Sequence, residues 1–209
     1  MTEPPLPRRL ERGDLPTEAV ALARALVGKS LVHELSDGPA GVRIVETEAY
    51  PVGDPAGLAF RGPTGHNAPL FMGFGHIHVY LCYGVSWLVN MASEAADGGA
   101  GVLFRAGEPI WGIEGMMGRR TGRRLNDLAN GPGKLTTALD IRLGYNGSDF
   151  FGGGNLWIGA ALRPVAGIVV SRRIGISKAI DEPLRFHEEG NTFVSGPKRG
   201  NVTTITVGD

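Results

Sequence analysis

A single α+β domain is what this sequence predicts. Three observations point to it: a length of 209 residues, pairs of strand-like segments joined by tight turns, and separate helix-like segments on either side of them. One domain usually spans about 100–200 residues, and a chain of this length can bury a substantial core. Hydrophobic residues at 42% and charged residues at 20% match ordinary globular usage, which excludes a disordered or fibrous chain. Glycine departs from the norm, with 33 copies and a run at Gly152-Gly153-Gly154, so the architecture is rich in loops and turns.

Residues 1–13, rich in Pro and Arg, read as a flexible arm, and residues 14–209 as the domain itself. Asp14-Leu15-Pro16-Thr17 introduces an alanine-rich run from Glu18 to Val27 with apolar residues at helical spacing, and Gly28 supplies a stop. Lys29 to Glu34 reads as a strand, Ser36-Asp37-Gly38-Pro39 as a turn, and Gly41 to Tyr50 as a second strand completing a hairpin. Between Pro51 and Gly75 the residues are mostly Gly, Pro, Asp and Asn without periodicity, a length of loop that in a compact domain usually carries function. Ile77 to Cys82 and Val85 to Ala92 are aromatic and β-branched, and Tyr83-Gly84 between them marks the tip of another hairpin. A strand over Val102 to Ala106 follows, then helices over Pro109 to Arg119, Arg123 to Leu128 and Asn130 to Asp140, and a late strand over Val165 to Ser171.

Lys and Arg number 21, equal to Asp and Glu, so net charge gives no sign of a nucleic-acid binder. Charge is uneven along the chain, however, with Arg119, Arg120, Arg123, Arg124, Lys134, Arg172, Arg173 and Lys178 in the second half. Taken singly, each is a solvated surface charge. One cysteine, Cys82, rules out a disulfide framework or a thiolate metal cluster. The start, MTEPPLPRRLERGDLP, has acids and prolines but no apolar stretch, which excludes a recognisable signal peptide or membrane anchor and points to the cytoplasm.

Residues two apart on a strand face the same side, so Glu46, Glu48 and Tyr50 share one face of the second strand and Val45, Thr47 and Ala49 the other. Two carboxylates and a tyrosine leading into a long loop suggest a pocket wall, where a carboxylate acts as general base on water. An edge strand with solvated acids explains the same pattern. Tyr83 at a turn tip is poorly explained by core packing and suits a wedge between stacked bases, although by itself a packing or turn role accounts for it.

Several blocks then make the pattern specific. Val45-Glu46-Thr47-Glu48-Ala49-Tyr50, Asp54-Pro55-Ala56, the run from Gly75 to Gly84, Asn90, Val102 to Pro109, Gly131-Pro132-Gly133-Lys134-Leu135 and Pro183-Leu184-Arg185-Phe186 together resemble the alkyladenine (3-methyladenine) DNA glycosylase family, in order and approximate spacing from about residue 14 to 196. The resemblance implies a curved, mainly antiparallel sheet with peripheral helices and a protruding DNA-intercalating β-hairpin. It implies a monomeric repair enzyme that flips an alkylated or deaminated purine from double-stranded DNA and hydrolyses its N-glycosidic bond. Glu48 is then the general base and Arg105 holds the water and carboxylate; Tyr50 and Tyr80 sandwich the everted base, Asn90 lines its pocket, and Tyr83 fills the vacated gap. Neither cofactor nor metal is implied, nor a lysine nucleophile that cuts the backbone.

The chain departs from the family at three places. Leu58 occupies the position of a pocket histidine, so a backbone contact to the base survives there but an imidazole hydrogen bond does not, and substrate range is affected. Pro63 to Pro69 offers only His66 where arginines are usual, so fewer phosphate contacts are expected, each lowering the salt slope by about one. His78 stands where a tyrosine is more usual, on the same face as Tyr80, either as a pocket hydrogen-bonding group or as an ordinary strand residue. Leu58 and the arginine-poor loop also leave open a non-catalytic sensor of damaged DNA.

Overall fold

The computed structural model describes residues 3–196, which fold into one curled antiparallel sheet of eight strands with three α-helices. The helix α1 spans Ala19–Leu26, capped by the Glu18 side chain, which accepts from the Val20 and Ala21 amides. Its buried residues, Ala19, Leu22, Ala23 and Leu26, recur at helical spacing and pack on the sheet. Burying each leucine stabilises the fold by about 1.5–3 kcal/mol. The helix ends as expected at Gly28, whose φ of 89° suits glycine and whose amide donates to the Ile44 carbonyl.

Strands β1 (Ser30–Leu35) and β2 (Gly38–Tyr50) form the first expected hairpin, and β3 (Ile77–Cys82) and β4 (Ser86–Ser93) form the second. β5 (Ala100–Trp111) joins them, giving the order β3-β4-β5-β2-β1-β6, with β6 at Leu156–Gly159. A pair outside this path, β7 (Ile168–Ser171) and β8 (Arg185–Glu188), attaches through β8 to residues Glu46–Glu48 of β2. That attachment decides the environment of the carboxylates. β2 pairs with β5 on one side and with β8 on the other along the same stretch, so it is a central strand and the solvated-edge explanation fails.

Local differences from the sequence reading have tertiary causes. Pro109 to Trp111 extend β5 instead of starting a helix, because Val42 pairs with Pro109 at an irregularity and the Trp111 ring lies against Gly41, where a Cβ would stand 2.6 Å from it. Helix α2 therefore starts at Ile113 and ends at Arg119. The helix expected over 123–128 shrinks to one 3-10 turn, Leu125–Asp127, and α3 covers Pro132–Ala138. Within the stretch read as an arm, residues from Pro4 onward make contacts with the sheet, and residues 1–2 lie outside the described residues. The Leu10 amide donates to the Ile158 carbonyl, the Trp111 indole donates to the Pro4 carbonyl at 2.7 Å, and Leu10 is buried. Among the described residues, no helix is long and apolar enough to cross a membrane.

Candidate active site

Alternation along β2 sends Thr47 toward α1, where its hydroxyl donates to the Ala23 carbonyl at 2.8 Å, and sends Glu46 and Glu48 to the opposite face. Both carboxylates are fully buried. A pair of register irregularities sits beside them: Ile44 faces Gly107, Glu46 faces Ala106 and Thr47 faces Phe104, leaving Val45 and Arg105 without a direct opposite. Such bulges re-aim side chains next to functional sites, and here Arg105 is turned onto both acids.

Arg105 Nε donates to Glu46 Oε1 at 2.9 Å and Nη1 to Glu48 Oε2 at 3.2 Å. The Tyr50 hydroxyl also donates to Glu48 Oε2, at 2.9 Å, and the Ile174 amide donates to Oε1 at 2.7 Å. Burial drives the Glu48 carboxyl above its ordinary range; Arg105, the Ile174 amide and Tyr50 oppose that shift without cancelling it. Glu46 goes the other way. Burial again pushes upward, but Arg105 and Arg185 together hold it below the ordinary value. The Tyr50 hydroxyl is raised, by burial first and then by the Glu48 charge, so it stays protonated and available as a donor.

Residues that attracted no role from sequence complete this network. Arg185 Nε donates to Glu46 Oε1 at 2.6 Å, and Ser195 donates to Glu46 through both its amide and its hydroxyl. Arg173 is buried against Asp54, donates to the Ala49 carbonyl at 2.9 Å, and places its guanidinium 4.6 Å from the centre of the Tyr50 ring. It also precedes Ile174, whose amide reaches Glu48. Arg173 had appeared only as one cation in an uneven distribution; nothing local marks it as buried, since its partner Asp54 lies 119 residues away.

In front of Arg105 opens a cavity of about 670 Å³, lined by Tyr50, Leu58, Tyr80, Tyr83, Asn90 and Arg105 among others. Thus six of the seven residues singled out from sequence meet on one cavity. The seventh, Glu48, lies immediately behind its wall, covered by Tyr50 and Arg105. Leu58, half exposed, reaches the cavity from the 51–75 loop, where Asn67 Nδ2 donates to the Leu58 carbonyl at 2.9 Å and to the Gly62 carbonyl at 3.1 Å. Asn90 is buried on β4, directly opposite His78 on β3. His78 is buried too and stacks under Tyr80, with ring centres 5.3 Å apart and planes 9° from parallel, so it supports the tyrosine from behind.

At the cavity's edge stands the β3-β4 tip. Tyr83 and Gly84 both have positive φ, 50° and 69°, and the Val85 amide closes the turn onto the Cys82 carbonyl at 3.0 Å. The connection between the paired residues Cys82 and Ser86 is thus three residues long, and a tyrosine in the left-handed conformation within it costs about 1–2 kcal/mol. The cost is not recovered by packing, since Tyr83 is 90% exposed.

The sequence profile of the methylpurine-DNA glycosylase family matches residues 14–192. A relative in Paraburkholderia phytofirmans is 48% identical over 194 residues, covering 93% of this chain and 91% of its own length. One in Mesorhizobium japonicum is 48% identical over 189 residues, covering 90% of this chain and 91% of its own length, and one in Methanoculleus marisnigri is 41% identical over 182 residues, covering 85% and 94%. All three carry the name "Putative 3-methyladenine DNA glycosylase". With a family profile and relatives at this identity spanning most of the sequence, the chain belongs to the methylpurine-DNA glycosylase family and is a DNA-repair glycosylase.

Proposed function

We propose that the protein everts an alkylated or deaminated purine from duplex DNA into the cavity bounded by Tyr50, Tyr80, Leu58 and Asn90, and that Glu48 activates the water that replaces the base. The observation carrying this reading is a fully buried carboxylate just behind the cavity wall, raised in basicity by burial and bound only by donors. As the bond from C1′ to the purine nitrogen breaks, its electron pair leaves with the base and positive charge develops on the sugar. A nearby carboxylate stabilises that charge, and it accepts the proton as water oxygen bonds to C1′. Among the described residues, donors fill three of the roughly four lone-pair positions on Glu48, leaving one for that proton. Because Tyr50 and Arg105 cover the carboxylate, one of them shifts when the nucleotide enters.

Tyr50 and Tyr80 flank the everted base, with stacking worth about 1–3 kcal/mol per base, and Tyr83 occupies the gap in the duplex. Wedge, cavity and base reside in one chain, so the protein acts as a monomer. It is monofunctional: among the described residues the only lysine on the cavity lining, Lys178, stands at the rim with Nζ 5.8 Å from the Phe60 ring centre. On a duplex with one methylated purine, the expected products are free purine and an intact abasic strand. Strand nicking without added alkali or heat would overturn the monofunctional assignment, and absence of any free purine would overturn the reaction.

Replacing Tyr83 with Asn separates wedge from turn, because asparagine adopts the positive φ of this position more readily than tyrosine does. Thermal stability should hold or rise, while single-turnover release at sub-saturating enzyme should fall about 10- to 100-fold, the equivalent of about 1–3 kcal/mol of stacking. Unchanged release would show that Tyr83 does not enter the duplex.

A further inference from the structure

We propose that His78 sets which purines the cavity favours, by holding the Asn90 side chain with its carbonyl oxygen, and not its NH2 group, toward the bound base. This rests on the reading that the base occupies the cavity beside Asn90.

His78 Nε2 lies 3.1 Å from the His66 carbonyl oxygen, and a carbonyl only accepts, so Nε2 carries the proton. Burial lowers the His78 pKa to about 4, so the ring is neutral at physiological pH and Nδ1 is left with a lone pair. Asn90 Nδ2 stands 3.4 Å from Nδ1 and 3.4 Å from the His78 backbone carbonyl oxygen. Both are acceptors. These contacts are long for hydrogen bonds, but their sign decides the orientation: a rotated amide would press its oxygen against two sets of lone pairs. The group facing them is therefore the NH2, settled by its surroundings even though amide orientation is not visible from heavy-atom shape alone.

Asn90 Oδ1 then takes the side toward the cavity that Asn90 lines. It has no hydrogen-bond partner among the described residues and is not among their buried unsatisfied atoms, so it opens onto the cavity. Stacking against Tyr80 and the bond to His66 hold the imidazole in place. An asparagine free to rotate presents either a donor or an acceptor; His78 removes that choice. An NH2 turned inward would repel an exocyclic amino group, whereas an oxygen accepts a hydrogen bond from one. A site built to accept that bond discriminates against a purine lacking the donor.

Single-turnover release from duplexes carrying 7-methylguanine, 7-methyladenine or 7-methylhypoxanthine tests the proposal, because the first adds only a 2-amino group to the third, while the second carries a 6-amino group in place of its 6-carbonyl and lacks the N1 proton. The wild-type protein is expected to favour the amino-bearing base in at least one of the two comparisons by about tenfold. His78→Phe keeps the stacking ring and the backbone carbonyl but removes the Nδ1 acceptor, and should lower that ratio by at least about threefold. In the double variant His78→Phe, Asn90→Asp, a carboxylate that accepts on both sides should restore the preference. A merely structural role for His78 would slow all three substrates alike and leave the ratio unmoved, which overturns the proposal. Nitrogen-15 NMR of the free protein supplies an independent readout: a protonated Nε2 with a lone-pair Nδ1 is expected, and the opposite tautomer overturns it. Should the wild-type protein release none of the three bases, the purine-hydrolysis reading fails, while the tautomer measurement still judges the His78 arrangement.

Discussion

Glu48→Gln is expected to lower single-turnover base release by at least about 10²–10⁴-fold, the range typical of losing a general base, while binding to damaged duplex is largely retained. Among the described residues the carboxylate has three partners, all of them donors: the Ile174 amide, the Tyr50 hydroxyl and Arg105. A glutamine must turn its NH2 toward one of them, at a cost of about 1–3 kcal/mol for the unsatisfied pair. Thermal unfolding therefore accompanies the assay, so that a folded but inactive protein is distinguished from an unfolded one. A folded variant that still releases base at the wild-type rate removes Glu48 from the chemistry. The pH profile supplies a second check. The base must be deprotonated, and burial raises its pKa, so the rate should climb with pH through a midpoint above the ordinary glutamate range. The acid limb should disappear in the glutamine variant's residual rate.

Glu46→Ala should instead act on stability. One carboxylate accepts from Arg105, from Arg185 and from both the amide and hydroxyl of Ser195, and all of these groups are buried. Glu46, Glu48, Arg105 and Arg185 form a neutral set of two acids and two guanidiniums; removing Glu46 leaves an excess positive charge out of contact with water. Breaking a buried pair in this way costs about 3–5 kcal/mol, equivalent to a fall in Tm of roughly 6–20 °C for a domain of this size. Circular dichroism on heating measures it, and a shift under about 2 °C would contradict the account. The sign with pH also follows. Because the folded-state pKa of Glu46 is lowered, its contribution is present above the unfolded value of about 4.3 and is lost as pH falls through the lower folded value. The stability gap between wild type and variant should accordingly narrow only in strong acid.

These two acids, adjacent on one strand face, show how far the sequence could be read. Period-two alternation assigned Glu46, Glu48 and Tyr50 to one side, and the structure keeps them there. Nothing in the strand itself distinguished their roles. The distinction comes from β8 and Ser195, which bring Arg185 and two further donors to Glu46 alone, and from the bulge that turns Arg105 between them. β6 and β8 were not legible as strands: each has four residues, and Arg185-Phe186-His187-Glu188 is polar enough to pass for loop until pairing buries it. Helix starts were misplaced where a proline could serve either a first helical turn or an irregular strand, and contact with β2 decided for the strand.

By itself, the sequence determined the elements whose signals are local. These are the capped alanine-rich helix, two hairpins with their turn residues, the long loop, the common face of Glu46, Glu48 and Tyr50, and an ordered set of blocks sufficient to indicate the family. Tertiary structure alone decided what long-range contacts control: that the carboxylates are buried in a central strand, that Arg173 and Asp54 meet across the fold behind Tyr50, and that His78 governs the face Asn90 shows. The physical reason is the same in each case. A side chain's charge state, basicity and hydrogen-bonding direction depend on which groups exclude water from it, and those groups arrive from segments up to 149 residues away.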